Sequence, residues 1–174
     1  PELSALHMSL PWARMDEWER VFATFGDEIA SVVVAANYDE MDLGFDFLPA
    51  VRRLCDKHST LLVFDEIVTG FRLARAGAQE YFGVTPDLSV FAKGMANGMP
   101  VSAYLGRAEL IESCRTISIS STFGGETLSL AAVKAVLRFY EDNDVIPYLW
   151  STAKRIWNEG SSILERSGLP IRLN

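Results

Sequence analysis

Two short apolar runs that each end in a reactive side chain restrict the fold most. LLVF (61–64) is followed at once by Asp65 and Glu66; LSVF (88–91) is followed by Ala92 and then by Lys93 and Gly94. Apolar runs of about four residues, bounded by charge or glycine, read as strands buried on both faces. SVVVAA (31–36) has the same character. Elsewhere the period changes. Met15, Trp18, Val21, Phe22 and Phe25 recur at helical spacing, with Asp16 and Glu17 favouring the helix start and Gly26 as the expected stop. Phe47, Leu48, Val51, Leu54 and Cys55 do the same, and helices are predicted over 126–141 and 146–166. Further strands are predicted at 101–105 and 116–119. Strands alternating with helices imply an α/β fold: a mostly parallel sheet flanked by helices. In such sheets, side chains at the carboxyl ends of strands surface where ligands bind. Asp65 and Lys93, twenty-eight residues apart, are expected there.

Composition narrows the possible partners. The 174 residues are 49% apolar with a net charge of −7 and no basic cluster, which speaks against nucleic acid. No apolar run approaches the ~20 residues that span a bilayer, so a soluble, cytoplasmic protein without a membrane partner is expected. Cys55 and Cys114 lack CxxC or metal-ligand spacing and read as reduced packing thiols. His7 and His58 have no acid or cysteine at useful spacing, so no metal site is predicted; His58 reads as a polar residue at a helix end.

A lysine at a strand end can be partly desolvated and so made nucleophilic toward a carbonyl. The plainer reading of Lys93 is a surface lysine in a turn, but Gly94, Asn97, Gly98 and Pro100 form a loop that lets backbone crowd a ligand. The plainer reading of Asp65 is a turn former or helix cap. An acid and an amine delivered together suit pyridoxal 5′-phosphate, which needs a carboxylate at its ring nitrogen and a covalent amine at its carbonyl.

The segments VFDEIVTGFR (63–72), TPDLSVFAKGMANGMPVSA (85–103) and SSTFGGETLSLAA (120–132) stand in one order at consistent spacing, preceded by FDFLPAVRRLCDKHSTLL (45–62). Together they resemble the class III pyridoxal-phosphate aminotransferases, and among them the glutamate-1-semialdehyde aminomutase-like group. The resemblance runs at least from about Ser31 to Ala135. It implies the large domain of a fold-type I enzyme that transfers amino groups as a transaminase or a 2,1-aminomutase, acting on a small amino or oxo substrate. It makes Lys93 the Schiff-base residue and the base that moves protons, and Asp65 the partner of the pyridine nitrogen. Ile67 packs on the ring, and Thr122 reaches the cofactor phosphate of a neighbouring subunit, which implies a homodimer. Glu66 points away from the ring and makes structural contacts. Val68 stands where many relatives have glutamine, a departure shared with aminomutase-like relatives. Ala35-Ala36-Asn37 replaces the family's Glu-Pro, so no site role is assigned to that loop. The upstream phosphate-gripping loop and the downstream small domain are not in residues 1–174. The expectation is therefore a partial cofactor-binding domain, inactive on its own.

Two other readings compete. LLVFDE looks like a Walker B strand of a nucleotide hydrolase, with a metal-binding Asp and a catalytic Glu. The phosphate-loop pattern is absent and PDLSVFAKG has no place in that scheme. The third reading is a non-catalytic domain that contributes only an interface.

Overall fold

The computed structural model describes residues 6–117 and 122–171. Strands β1 (Ser31–Val34), β2 (Leu61–Asp65), β3 (Leu88–Phe91) and β4 (Ala103–Gly106) form a sheet in the order β1-β2-β3-β4. The first three are parallel, with Val34 opposite Phe64 and Asp65 opposite Val90. β4 returns antiparallel, with Ala103 opposite Phe91. The connection explains the change of direction. The β1–β2 link contains helix α2 (Gly44–His58) and the β2–β3 link contains the short helix α3 (Ala78–Phe82), whereas residues 92–102 are too few for a helical crossover. The sheet is mostly parallel, as the alternation of patterns predicts.

Helix α1 (Met15–Phe25) buries Trp18 and Phe22 against Phe47, Leu48, Val51 and Cys55 of α2, and these pack on Leu62 and Phe64 of β2. The Trp18 and Phe47 rings meet edge to face with centroids 5.3 Å apart. Truncating one of these rings to alanine costs about 3–5 kcal/mol, because the packed neighbours cannot fill the space. Burial of Cys55 pushes its thiol up to about 11, which makes it the inert packing residue that its isolation suggests. A second cluster joins Phe71, Phe91 and Met95 to Val133 and Tyr140 of helix α5 (Thr127–Asp142). The last helix, α6, spans Val145–Ser167 and ends at Gly168 in the left-handed region.

At the amino-terminal edge of β3, buried Asp87 accepts from Leu62 N–H at 2.8 Å, from Arg52 Nη1 at 2.8 Å and from Arg107 Nη1 at 3.1 Å. Burial opposes ionisation of Asp87, but these donors outweigh it and hold the carboxyl below its ordinary value.

Some expected boundaries shift. Gly26 does not stop α1 by adopting a left-handed turn; its φ is −51°. It is buried against His58, and a Cβ there would lie 2.2 Å from His58 Nδ1, so close approach is what selects glycine. The predicted strand over 31–36 ends at Val34. In place of a strand beginning at residue 116, Cys114–Thr116 forms a 3-10 turn, and 118–119 lie outside the described residues. Helices α3 and α4 (Ala108–Ser113) are too short to show a period in sequence.

Candidate active site at the carboxyl edge of the sheet

Parallel pairing places the carboxyl ends of β1, β2 and β3 on one edge. Asp65 is the last residue of β2. Its Oδ1 accepts from Ile67 N–H at 2.9 Å, so the carboxylate forms the turn that ends its own strand. No partner for Oδ2 is found among the described residues. The turn-former reading of Asp65 and the cofactor reading are therefore compatible, one oxygen serving each. Tyr38, just beyond β1, is electrostatically coupled to this group. Partial burial, then the charge of Asp65, raises the phenol above its ordinary value, and Arg72 pulls it down.

Lys93 follows β3 by two residues and opens the 3-10 turn Lys93–Met95 with a left-handed φ of +44°. That conformation is costly for a residue with a Cβ. Its exposed side chain lines a cleft of about 470 Å³ with Arg72, Asn97, Gly98 and the 99–101 segment. Gly94 lets the loop after β2 come close: a Cβ there would lie 3.0 Å from Gly70 O and 3.3 Å from Phe71 Cβ.

Glu66, the first residue after β2, turns its side chain into the interior. It is 0% exposed. Its Oε2 accepts from Ala78 N–H at 2.7 Å and from Thr69 Oγ1, and its Oε1 accepts from Gln79 N–H at 2.9 Å. The first amides of α3 thus neutralise a carboxylate that has no cation beside it among the described residues. Gly77 fits against it with φ +77° and ψ −144°. A hydrolase would need this glutamate at a water, and here both oxygens are consumed by the fold. That arrangement removes the Walker B reading.

Comparisons with known proteins give the family and the fold. Residues 7–166 match the family model Aminotransferase class-III. The chain belongs to the class-III aminotransferases. Its curated relatives include the glutamate-1-semialdehyde 2,1-aminomutase of Syntrophobacter fumaroxidans, 37% identical over 98% of this chain and 41% of the relative. The enzyme of the same name from Aeropyrum pernix is 36% identical over 100% of this chain and 42% of the relative. Among solved structures, the FumI protein of Sphingopyxis sp. MTA144 in its PLP form superposes with a TM-score of 0.79 at 26% identity, covering 93% of this chain and 40% of that one. The N-acetylornithine aminotransferase of Stenotrophomonas maltophilia gives 0.72 at 25%, over 91% and 42%. The chain thus spans about 40% of the length of the proteins it matches.

Of the site residues expected for a class-III chain, Asp65 and Lys93 lie at the ends of adjacent parallel strands. Ile67 is half-buried, but β2 stops at Asp65, so Ile67 does not share its side by strand alternation; it follows a turn instead. Thr122 is exposed in the turn before α5. The sequence assigns no role to Arg72 or Tyr38. Arg72 lies inside the VFDEIVTGFR segment, which is the one signal that marks it; Tyr38 lies in a polar loop with none.

The donor set suits pyridoxal phosphate: a carboxylate oxygen left open at one strand end, and an exposed amine in a cleft walled by glycine-bearing backbone at the next. Among the described residues no group of His, Cys, Asp and Glu could hold a metal ion, and no helix is long and apolar enough to cross a membrane.

Proposed function

We propose that the protein carrying this chain transfers amino groups with pyridoxal 5′-phosphate, returning the group to a neighbouring carbon of one small amino or oxo substrate as a 2,1-aminomutase. The observation that carries this is the placement of Asp65, with Oδ2 open, and Lys93 at adjacent parallel strand ends of a class-III chain. The shared name of the curated relatives supports the aminomutase form over transamination between two molecules. When bound, the cofactor supplies an electron sink for bonds at the substrate carbon.

The chain's own residues do the rest. Lys93 would hold the cofactor covalently through Nζ, water leaving as that bond forms, and, once displaced by the substrate's amino group, the freed amine would move the proton at the substrate carbon. Asp65 would hold the ring nitrogen through its open oxygen and favour its protonated form. Ile67 would pack on the ring, and Thr122 would donate to the phosphate held by a neighbouring subunit, so that the working unit would be a dimer. The location is the cytoplasm.

The test is borohydride reduction of the protein in the presence of pyridoxal phosphate, followed by peptide mapping. The label is expected on the peptide containing Lys93. A label on Lys57 or Lys134 refutes the assignment, and no label on any lysine favours the non-catalytic reading.

A further inference from the structure

The cleft at Lys93 is walled in part by a four-residue turn, Ala96–Met99, in which Met99 N–H donates to Ala96 O at 3.4 Å. Its two central residues both have positive φ, +46° at Asn97 and +108° at Gly98. Asn-Gly is the pair that such a turn favours, because asparagine tolerates the left-handed region and glycine has no Cβ to obstruct it. The same pair is chemically labile. The backbone nitrogen after an asparagine can attack the side-chain amide carbon, and glycine leaves that approach unhindered.

Asn97 and Gly98 are exposed, and the space where a Gly98 Cβ would stand is open. Asn97 N–H donates to Lys93 O at 2.8 Å, but the Asn97 side chain and Gly98 N–H make no hydrogen bond among the described residues. Other asparagines are better guarded. Asn37 accepts from Asp39 N–H at 3.2 Å and donates to Glu40 Oε2 at 3.0 Å, Asn143 donates to Phe139 O at 2.9 Å, and Asn158 lies inside α6. Tyr38, Asp144 and Glu159 follow them, so each neighbouring nitrogen belongs to a residue with a bulky side chain.

We propose that Asn97 is a self-modification site, deamidating through Gly98 and so placing a carboxylate in the cleft that Lys93 lines. Gly98 N bonds to Asn97 Cγ, and its proton leaves with the amide nitrogen as ammonia. Water then opens the ring at either carbonyl, giving aspartate or isoaspartate. The cleft's lining residues include two cations, Lys93 and Arg72, and no acid to repel the new charge. Arg72 stands on a fixed backbone: Tyr140 of α5 donates its hydroxyl to Phe71 O, and Trp150 of α6 donates Nε1 to Leu73 O at 2.9 Å. Glu66 clasps the base of the same loop through Ala78 and Gln79. A carboxylate in this cleft favours the ammonium form of Lys93 over the nucleophilic amine. The modification is independent of the amino-transfer reading, whereas its effect on Lys93 rests on that reading.

The experiment ages the protein in mildly alkaline buffer and follows each asparagine peptide by mass spectrometry. The Asn97 peptide is expected to gain the mass of an amide-to-acid change at least about tenfold faster than those of Asn37, Asn143 and Asn158. It should give two products of equal mass, aspartyl and isoaspartyl. Conversion no faster than at the other three, or a single aspartyl product, overturns the proposal. The effect on the cleft is read from the rate at which pyridoxal, which carries no phosphate for the new charge to repel, labels Lys93 under borohydride. Asn97→Asp is expected to label about two- to fivefold more slowly than its neutral counterpart Asn97→Gln, with the gap narrowing at high salt. Equal rates in the two variants refute the charge effect. A fresh parent that does not label at Lys93 removes the amino-transfer reading, while the mass data still decide the modification.

Discussion

Replacing Gly77 with alanine should damage this fold far more than a surface methyl normally does. Gly77 has φ +77° and ψ −144°, a region close to one populated almost exclusively by glycine, where a Cβ costs about 1–3 kcal/mol. The new Cβ would lie 2.0 Å from Glu66 Oε2 and 2.5 Å from its Cδ. The carboxylate would have to leave, and it takes with it the bonds to Ala78 and Gln79 N–H, about 1.5–3 kcal/mol each for a charged acceptor. Together these come to about 4–9 kcal/mol without relaxation, comparable to the whole stability of an ordinary domain, about 5–15 kcal/mol. The assay is urea unfolding of the protein and of Gly77→Ala, Glu66→Ala and the double variant. Because the clash needs the carboxylate, the double variant should be more stable than the sum of the single losses predicts, by at least about 2 kcal/mol. A Gly77→Ala loss under about 1 kcal/mol, or strict additivity with Glu66→Ala, would refute the clasp.

Two further outcomes follow from other groups. Asp87 is held below its ordinary carboxyl value in the fold, so its contribution is present above about pH 4 and is lost as pH falls through the depressed value. Asp87→Asn should therefore cost about 3–5 kcal/mol at neutral pH, and the gap between variant and parent in denaturant titrations should close on acidification below about pH 4; a gap that stays constant would show that Asp87 does not titrate this way. Under the proposed function, Asp65→Asn should leave Lys93 labelling largely intact yet slow amino transfer by roughly two to four powers of ten in half-reaction kinetics, and a variant that keeps the parent rate would show that Asp65 is not the ring partner.

The parts of the fold legible in sequence are those set by local pattern. Leu62 and Phe64 point into the core from one face of β2 while Leu61 and Val63 are half-buried on the other, so β2 reads as an unbroken apolar run that ends at Asp65. Lys93 was legible for the same reason, and the motifs around both supplied the rest. Ile67 rests on the resemblance alone, because β2 ends at Asp65, which caps its own chain, and strand alternation does not reach it. Arg72 is marked in sequence only by its place in VFDEIVTGFR; what fixes its backbone, Tyr140 and Trp150, lies 69 and 77 residues from the acceptors. The role of Glu66 in starting α3 was hidden likewise, since its amide partners lie 12 and 13 residues away, beyond any helical or strand period.

Trp150 gives the molecule an optical reporter at a useful place. Its indole stacks on Tyr81 at 6.0 Å with the rings 15° apart, while its N–H holds Leu73 O, next to Arg72. Trp12 and Trp18 sit instead against Phe47 in the other cluster, and Trp157 is exposed on α6. Anything that pulls the Arg72 loop toward an occupied cleft must stretch the Leu73 contact and change the polarity felt by this one indole. A molecule in which the other three tryptophans are replaced by phenylalanine would turn that displacement into an emission shift, so that occupancy of the cleft is read as colour without any turnover.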